Sequence, residues 1–234
     1  MAKLALPTVV AQLINMLYNI VDRIYIGHIP ETGALALTGV GVCLPIILIV
    51  SAFAALVGSG GAPRASIAMG RGDNQQAELI MGNCFTLQII ISIVLTVLIY
   101  IFCEPILLLF GASRNTIPYA VDYMKVYSLG TLFVQFSLGM NMFITTQGFA
   151  TISMVTIIVG AVSNIVLDPI FIYTFGMGVK GAALATIVSQ ALSAAWIISF
   201  LFGKKTTLHM RRENLRLQSS VVVPVITLGL AAFI

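Results

Sequence analysis

Asp168 stands inside an otherwise apolar stretch, Asn164-Ile-Val-Leu-Asp-Pro-Ile-Phe171, and is the residue best placed to do chemistry. Asn164 lies four residues before it, so on a helix the amide and the carboxyl share one face, a single turn apart. Pro169 follows and has no N–H, which leaves the carbonyl of Ile165 without its helical donor close to the carboxylate. A carboxylate, an amide and a freed carbonyl in one small volume make a seat for a proton or a small cation. A second acid, Asp22, ends the series Thr8, Gln12, Asn15, Asn19 and Asp22, spaced 4, 3, 4 and 3. That spacing puts all five on one stripe of a helix, which must face protein or water rather than lipid. Hydrogen bonding between helices commonly explains one such residue; five in register, ending in an acid, favour a solvated pathway.

The elements that must position these residues follow from composition. Of 234 residues, 59% are apolar and only 9% charged, against roughly 25% charged in soluble domains. Long unbroken apolar runs lack the alternation of a barrel, so the fold class is an all-α polytopic membrane protein. With about 20 residues needed per crossing, spans are expected near residues 4–26, 34–60, 84–103, 119–145, 152–175 and 179–202. A last apolar run from Val221 is too short to cross, as if the chain stopped partway into a seventh span. The expected organisation is a six-helix transmembrane bundle over 1–203, a basic cytoplasmic linker over 204–219, and the start of a second lobe over 220–234.

Charge placement sets the orientation. Lys3, Arg64, Arg71, Lys204, Lys205, Arg211, Arg212 and Arg216 fall on one side, with Arg114 and Lys180 on the other, so the N-terminus is expected in the cytoplasm. The formal charge of +4 arises largely at membrane borders and gives no surface for nucleic acid. Cys43, Cys84 and Cys103 are far apart without a CxxC spacing and read as small buried residues, and the histidines His28 and His209 are isolated. Gly176-Met-Gly-Val-Lys-Gly181 satisfies GxGxxG, but it joins two membrane helices rather than a strand and a helix, so it reads as a turn. No Walker loop, zinc spacing or GxSxG is present, and neither an enzyme nor an ATP-driven pump is supported.

Further local readings complete the chain. Gly58 to Pro63 is expected to end the second span, with Ala65 to Glu78 as a connector. The third span looks featureless and lipid-facing, and Asp122 and Lys125, three apart, are expected to pair. Gly178, Ala182 and Thr186, with Gly181, Ala185 and Ser189, recur every four residues along the sixth span and permit close approach of the fifth. With the N-terminus inside, Asp22, Asp168, Tyr123 and Thr186 share the outer half of the bilayer. Two carboxylates in a poorly hydrated pocket resist joint ionisation, so one holds a proton or the pair requires a cation.

The segments Leu6-Pro7, Tyr18-Asn-Ile-Val-Asp22 with Gly27, Asn164-Ile-Val-Leu-Asp-Pro-Ile-Phe171 and Gly178-Val-Lys-Gly-Ala-Ala-Leu-Ala-Thr186 together resemble the multidrug and toxic compound extrusion (MATE) transporters. The resemblance covers essentially the whole chain and implies the N-terminal lobe of two similar six-helix lobes. Val223-Pro224-Val-Ile-Thr is similar to Leu6-Pro7-Thr-Val-Val, as the opening of a second repeat would be. It implies a multi-pass protein of the plasma (inner) membrane that exports hydrophobic organic cations and drugs in exchange for sodium or protons. Its partners are then the lipid bilayer, a small-molecule substrate and the missing C-terminal lobe, with no cofactor beyond the coupling ion. Carried over by position, the ion site falls on Asp22, Asn164, Asp168 and Thr186, with the backbone of Ala182, and Tyr123 in the surrounding network. Gln12, Asn15, Asn19 and Asn141 are expected along the substrate cleft or pathway. Two other classes stay open: a flippase of related architecture for a lipid-linked substrate, and an inactive membrane scaffold in which the acids only join helices.

Overall fold

Apolar runs long enough to cross a bilayer keep every backbone group bonded only as helices, and helix is what the computed structural model shows. It describes residues 2–233, with side chains from Val9 to Ala231. The side chains of Lys3, Leu6, Pro7 and Thr8 therefore lie outside the described residues, as does Ile234. In order the elements are α1 (Ala2–Gly27), α2 (Gly33–Gly70), α3 (Asn74–Ile101), α4 (Cys103–Leu109), α5 (Ile117–Leu129), α6 (Thr131–Gln135), α7 (Asn141–Thr146), α8 (Ala150–Pro169), α9 (Val179–Leu201) and α10 (Ser219–Phe233). Single π-helical turns occupy Phe136–Met140 and Ile170–Thr174.

Among the described residues four helices are long and apolar enough to cross a membrane: α2, α3, α8 with its π-turn, and α9. The pair from Ile117 to Thr146, bent by 65° at Gly130, counts as a fifth. The first predicted span, α1, has 26 residues, about 39 Å at 1.5 Å per residue, but Gln12, Asn15, Asn19, Asp22 and Arg23 dilute its apolar content. Five of the six predicted spans thus appear as α2, α3, the broken α5 to α7, α8 and α9, while the first is present as the helix α1.

Four local expectations change. Gly58 to Pro63 does not end the second span: α2 continues for 38 residues, with Pro45 and Pro63 inside it. These glycines permit close packing instead. A Cβ on Gly60 would stand 2.0 Å from the Val225 carbonyl oxygen, and one on Gly229 1.9 Å from that of Leu56, so α2 and α10 cross backbone to backbone. Second, the connector over 65–78 shrinks to a turn at 71–73, where Asp73 caps α3 by accepting the Gln76 N–H at 2.9 Å. Third, α3 exposes Ile90, Ile93, Val94 and Val97 but buries Glu78, Asn83, Gln88 and Ser92, so only one face of it is featureless. Fourth, Asp122 pairs with Lys180 on α9 at 3.3 Å rather than with Lys125, whose ammonium stands 6.0 Å from the Tyr100 ring centroid.

The segment after α9 is pinned rather than loose. Gln147, in the turn between α7 and α8, accepts from Thr206 Oγ1 at 2.8 Å and from the N–H groups of Thr207 and Leu208 at 2.9 Å. On α3, Glu78 accepts the His209 N–H at 3.0 Å and binds Arg211 Nε at 2.8 Å. Asn83 accepts from Gln218 N–H at 2.7 Å, and Thr86 donates to the Leu215 carbonyl at 2.7 Å. Leu208 is fully buried beneath this strap.

Candidate functional site: a paired carboxylate at the head of a polar cleft

The end of the bundle opposite the strap is assembled from the C-terminal halves of α1 and α8 and the N-terminal halves of α5 and α9. Small residues let α8 and α9 approach: a Cβ on Gly160 would meet Ser193 Oγ at 2.5 Å, and Ser193 donates to the Thr156 carbonyl at 3.1 Å. Tyr173, in the π-turn after Pro169, donates to the Tyr25 carbonyl at 2.6 Å and ties α8 to α1.

Within that frame the carboxyl groups of Asp22 and Asp168 meet side chain to side chain. Asp168 is wholly buried, and Asn164, one turn earlier, donates from Nδ2 to Asp168 Oδ1 at 3.3 Å. Asp22 Oδ1, Asp168 Oδ2 and Asn164 Oδ1 are all buried without a hydrogen-bond partner. Acceptor oxygens buried in this way call for a donor, a proton or a cation among them. Across the site on α9, Thr186 donates to the Ala182 carbonyl at 3.0 Å. Buried Tyr123 on α5 lies near the Thr186 side chain and within electrostatic reach of Asp22. Its ring stacks on Tyr127, centroids 6.1 Å apart. The oxygens are of the carboxylate, amide, hydroxyl and carbonyl kinds that suit a hard cation. Among the described residues no cluster of three His, Cys, Asp or Glu side chains exists to hold a transition metal.

A cleft approaches this pair through Asn164 and Thr186, though neither acid lines it. A cavity of about 50 Å³, room for a few waters, is lined by Asn15, Tyr18, Asn164 and Thr186 together with Ser137, Ser189, Gln190 and Ser193. A second cavity of about 330 Å³ adjoins it, lined by Gln12, Asn15, Asn141 and Ser153 among others. Asn15, Ser137, Leu138 and Ile157 belong to both, so the two form one passage along α1 and α8. Asn19 lines neither; its amide folds back to the Asn15 carbonyl at 2.7 Å on the exposed side of α1.

The site also holds residues not foreseen. Tyr18, one turn before Asp22, lies within electrostatic reach of both acids, and its place in the stripe was a usable signal. Ser137 and Gln190, which hydrogen-bond to each other, gave no such signal because each sits in an apolar run on a different helix.

A bundle of membrane-length helices that brings two carboxylates together in its interior defines a multi-pass membrane protein, and comparison with known proteins makes that specific. The MatE family model matches residues 7–170, and the chain belongs to that family. It is 26% identical over 234 residues to the multidrug export protein MepA of Staphylococcus haemolyticus, covering 100% of this chain and 51% of that protein. A solved MOP superfamily transporter from Pyrococcus furiosus superposes with a TM-score of 0.91 at 26% identity, over 99% of this chain and 51% of that one. The outward-facing conformation of a multidrug resistance MATE family transporter superposes with a TM-score of 0.90, again at 26% identity, over 99% of this chain and 51% of that one. The chain thus spans about half the length of the relatives it matches.

Proposed function

We propose that this chain is the ion-coupling lobe of a secondary antiporter, which exchanges sodium or protons for hydrophobic organic cations at the plasma membrane, with its N-terminus in the cytoplasm. The observation that carries this reading is the pairing of Asp22 with Asp168 beside unpartnered oxygens at the head of a polar cleft. One proton or one sodium ion neutralises the pair, with Asn164, Thr186 and the Ala182 carbonyl as further oxygens. Binding there favours whichever arrangement of the lobe brings these oxygens together, and that differential affinity drives the transport cycle. Gln12 and Asn19 support the cleft reading. Both are exposed on α1, and amides facing out of a membrane bundle require water or protein rather than hydrocarbon. Drug and cation then share one passage, with Asn15 and Asn141 along its wall and Tyr18 offering an aromatic face to a cation.

Asp168→Asn tests this in the full-length transporter, because it keeps the shape and removes one charge. Ion-driven ethidium efflux should fall at least tenfold while membrane insertion is unchanged. Sodium- or pH-dependent shifts in the melting of the purified protein should vanish as well. Ethidium extrusion at the unmodified rate by that variant would remove the assignment. A flippase finds less support, since among the described residues no basic side chain lines either cavity of the cleft.

A further inference from the structure

The strap end of the bundle carries a second polar cavity, unrelated to the carboxylates. It lies between the C-terminal half of α2 and the first turns of α3, has a volume of about 330 Å³, and is lined by Arg64, Ile67, Ala68, Arg71, Gln76 and Ile80. Arg64 and Arg71 are seven residues apart, two helical turns, so both guanidinium groups project on one side of α2. Neither forms an ion pair among the described residues. Arg64 Nε is buried without an acceptor. The acids of this end are committed elsewhere: Asp73 caps α3, Glu78 holds Arg211 and the His209 N–H, and Glu213 faces Arg211 at 3.7 Å. Two cations and an amide thus border a cavity that supplies them no anion.

Depth matches a headgroup. Arg64 is 31 residues beyond Gly33, about 46 Å along an ideal helix, against a headgroup-to-headgroup bilayer thickness of roughly 40–45 Å. Ile67 is more than half exposed, and with Ala68 and Ile80 it gives the cavity an apolar wall. Basic pockets between membrane helices at this level suit the phosphate of an anionic phospholipid, with the guanidinium groups on phosphate oxygens and the wall against glycerol and acyl carbons.

We propose that Arg64, Arg71 and Gln76 form a binding site for the phosphate headgroup of an anionic phospholipid. The site would anchor the α2–α3 turn in the leaflet next to the strap. Two basic residues near a membrane surface correspond to about a thirtyfold preference for an anionic over a zwitterionic headgroup.

The chain, purified in neutral detergent at fixed pH and sodium, is titrated with phosphatidylglycerol, phosphatidylcholine or inorganic phosphate. Bound lipid is counted by native mass spectrometry, and stability is followed by melting. Phosphatidylglycerol should give a retained one-lipid adduct and a melting shift of several degrees that phosphatidylcholine does not match. Arg64→Gln with Arg71→Gln should abolish both effects. Arg71→Gln alone, at an exposed side chain, should weaken the adduct about fivefold without unfolding the helix, so the test survives if the double variant folds poorly. Equal retention of the two lipids, an equal response to inorganic phosphate, or an undiminished adduct on the Arg71 variant would overturn the proposal. Because ion conditions are constant and the carboxylates lie at the opposite end, failure here leaves the antiporter reading untouched.

Discussion

Gly181→Ala is the substitution through which the packing of α9 on the α8 span, at its terminal π-turn, can be tested most directly. A Cβ at this position would stand 2.7 Å from both the carbonyl carbon and the oxygen of Phe171, and 2.9 Å from the Ile172 nitrogen. All three are backbone atoms, so no side chain can swing aside. Restoring an ordinary 3.4 Å contact moves the start of α9 away from α8 by about 0.7 Å. Overpacking of this kind costs about 1–3 kcal/mol, and at roughly 2–4 °C per kcal/mol for a chain of this size the melting point should fall by several degrees. Thr186 and the Ala182 carbonyl ride on α9 while Asn164 and Asp168 ride on α8. A shift beyond about 0.5 Å therefore also degrades any site built from both. Gly41→Ala is the matched control, since a Cβ there meets nothing within 4 Å and replacing glycine inside a helix stabilises by roughly 0.5–1 kcal/mol. Cys43, Cys84 and Cys103 are buried free thiols, so a thiol-reactive fluorophore reports unfolding without an added label. If Gly181→Ala melts with the parent protein and keeps the same sodium response, the close contact of α8 and α9 is not what positions the site.

Gln147→Ala removes the acceptor shared by Thr206, Thr207 and Leu208. Water replaces it readily at exposed Thr207 but not at the partly buried Leu208 N–H, so the net loss is about 1–2 kcal/mol, and hydrogen exchange at Leu208 should quicken by roughly tenfold. Lys180→Met breaks the pair with Asp122, in which both side chains are about half exposed, 53% and 49%. The expected change is within about 0.5 kcal/mol, and a melting loss of five degrees or more would show a coupling stronger than a screened surface pair.

The all-helical membrane fold was legible because a run of apolar residues long enough to cross a bilayer has one backbone solution. The approach of Asp22 to Asp168 was legible too, since acids are too costly against lipid to be placed without a partner. The glycines of Gly58-Ser-Gly-Gly-Ala-Pro63 misled, because glycine ends a helix in water but permits backbone contact between helices where packing drives association. The 65° bend at Gly130 falls among Ser128, Gly130 and Thr131, small residues too common in membrane helices to mark a break by themselves. Gln88 and Ser92 on α3 were passed over as lipid-facing because two polar residues in a long apolar run do not reveal which face is covered. The strap escaped for a different reason: Glu78, Asn83 and Gln147 are polar residues at helix ends, where solvent is the ordinary partner, and only tertiary contact turns them into clamps.

The two π-turns explain why the cleft has its shape. Each inserts one residue beyond the α-helical repeat, which rotates everything after it by about 100° relative to everything before it. In Phe136–Met140 the extra residue falls where Ser137 and Leu138 border both cavities. In Ile170–Thr174 it falls directly after Pro169, where the helix has already lost one hydrogen bond, so the added cost of widening the turn is small. The rotation there brings Tyr173 round to the Tyr25 carbonyl and ties the end of the α8 span to α1. A regular helix through either segment would turn these side chains to other faces. The irregular backbone of Phe136–Met140 is largely buried and borders the cleft, which is where a membrane protein can satisfy the groups such a turn releases.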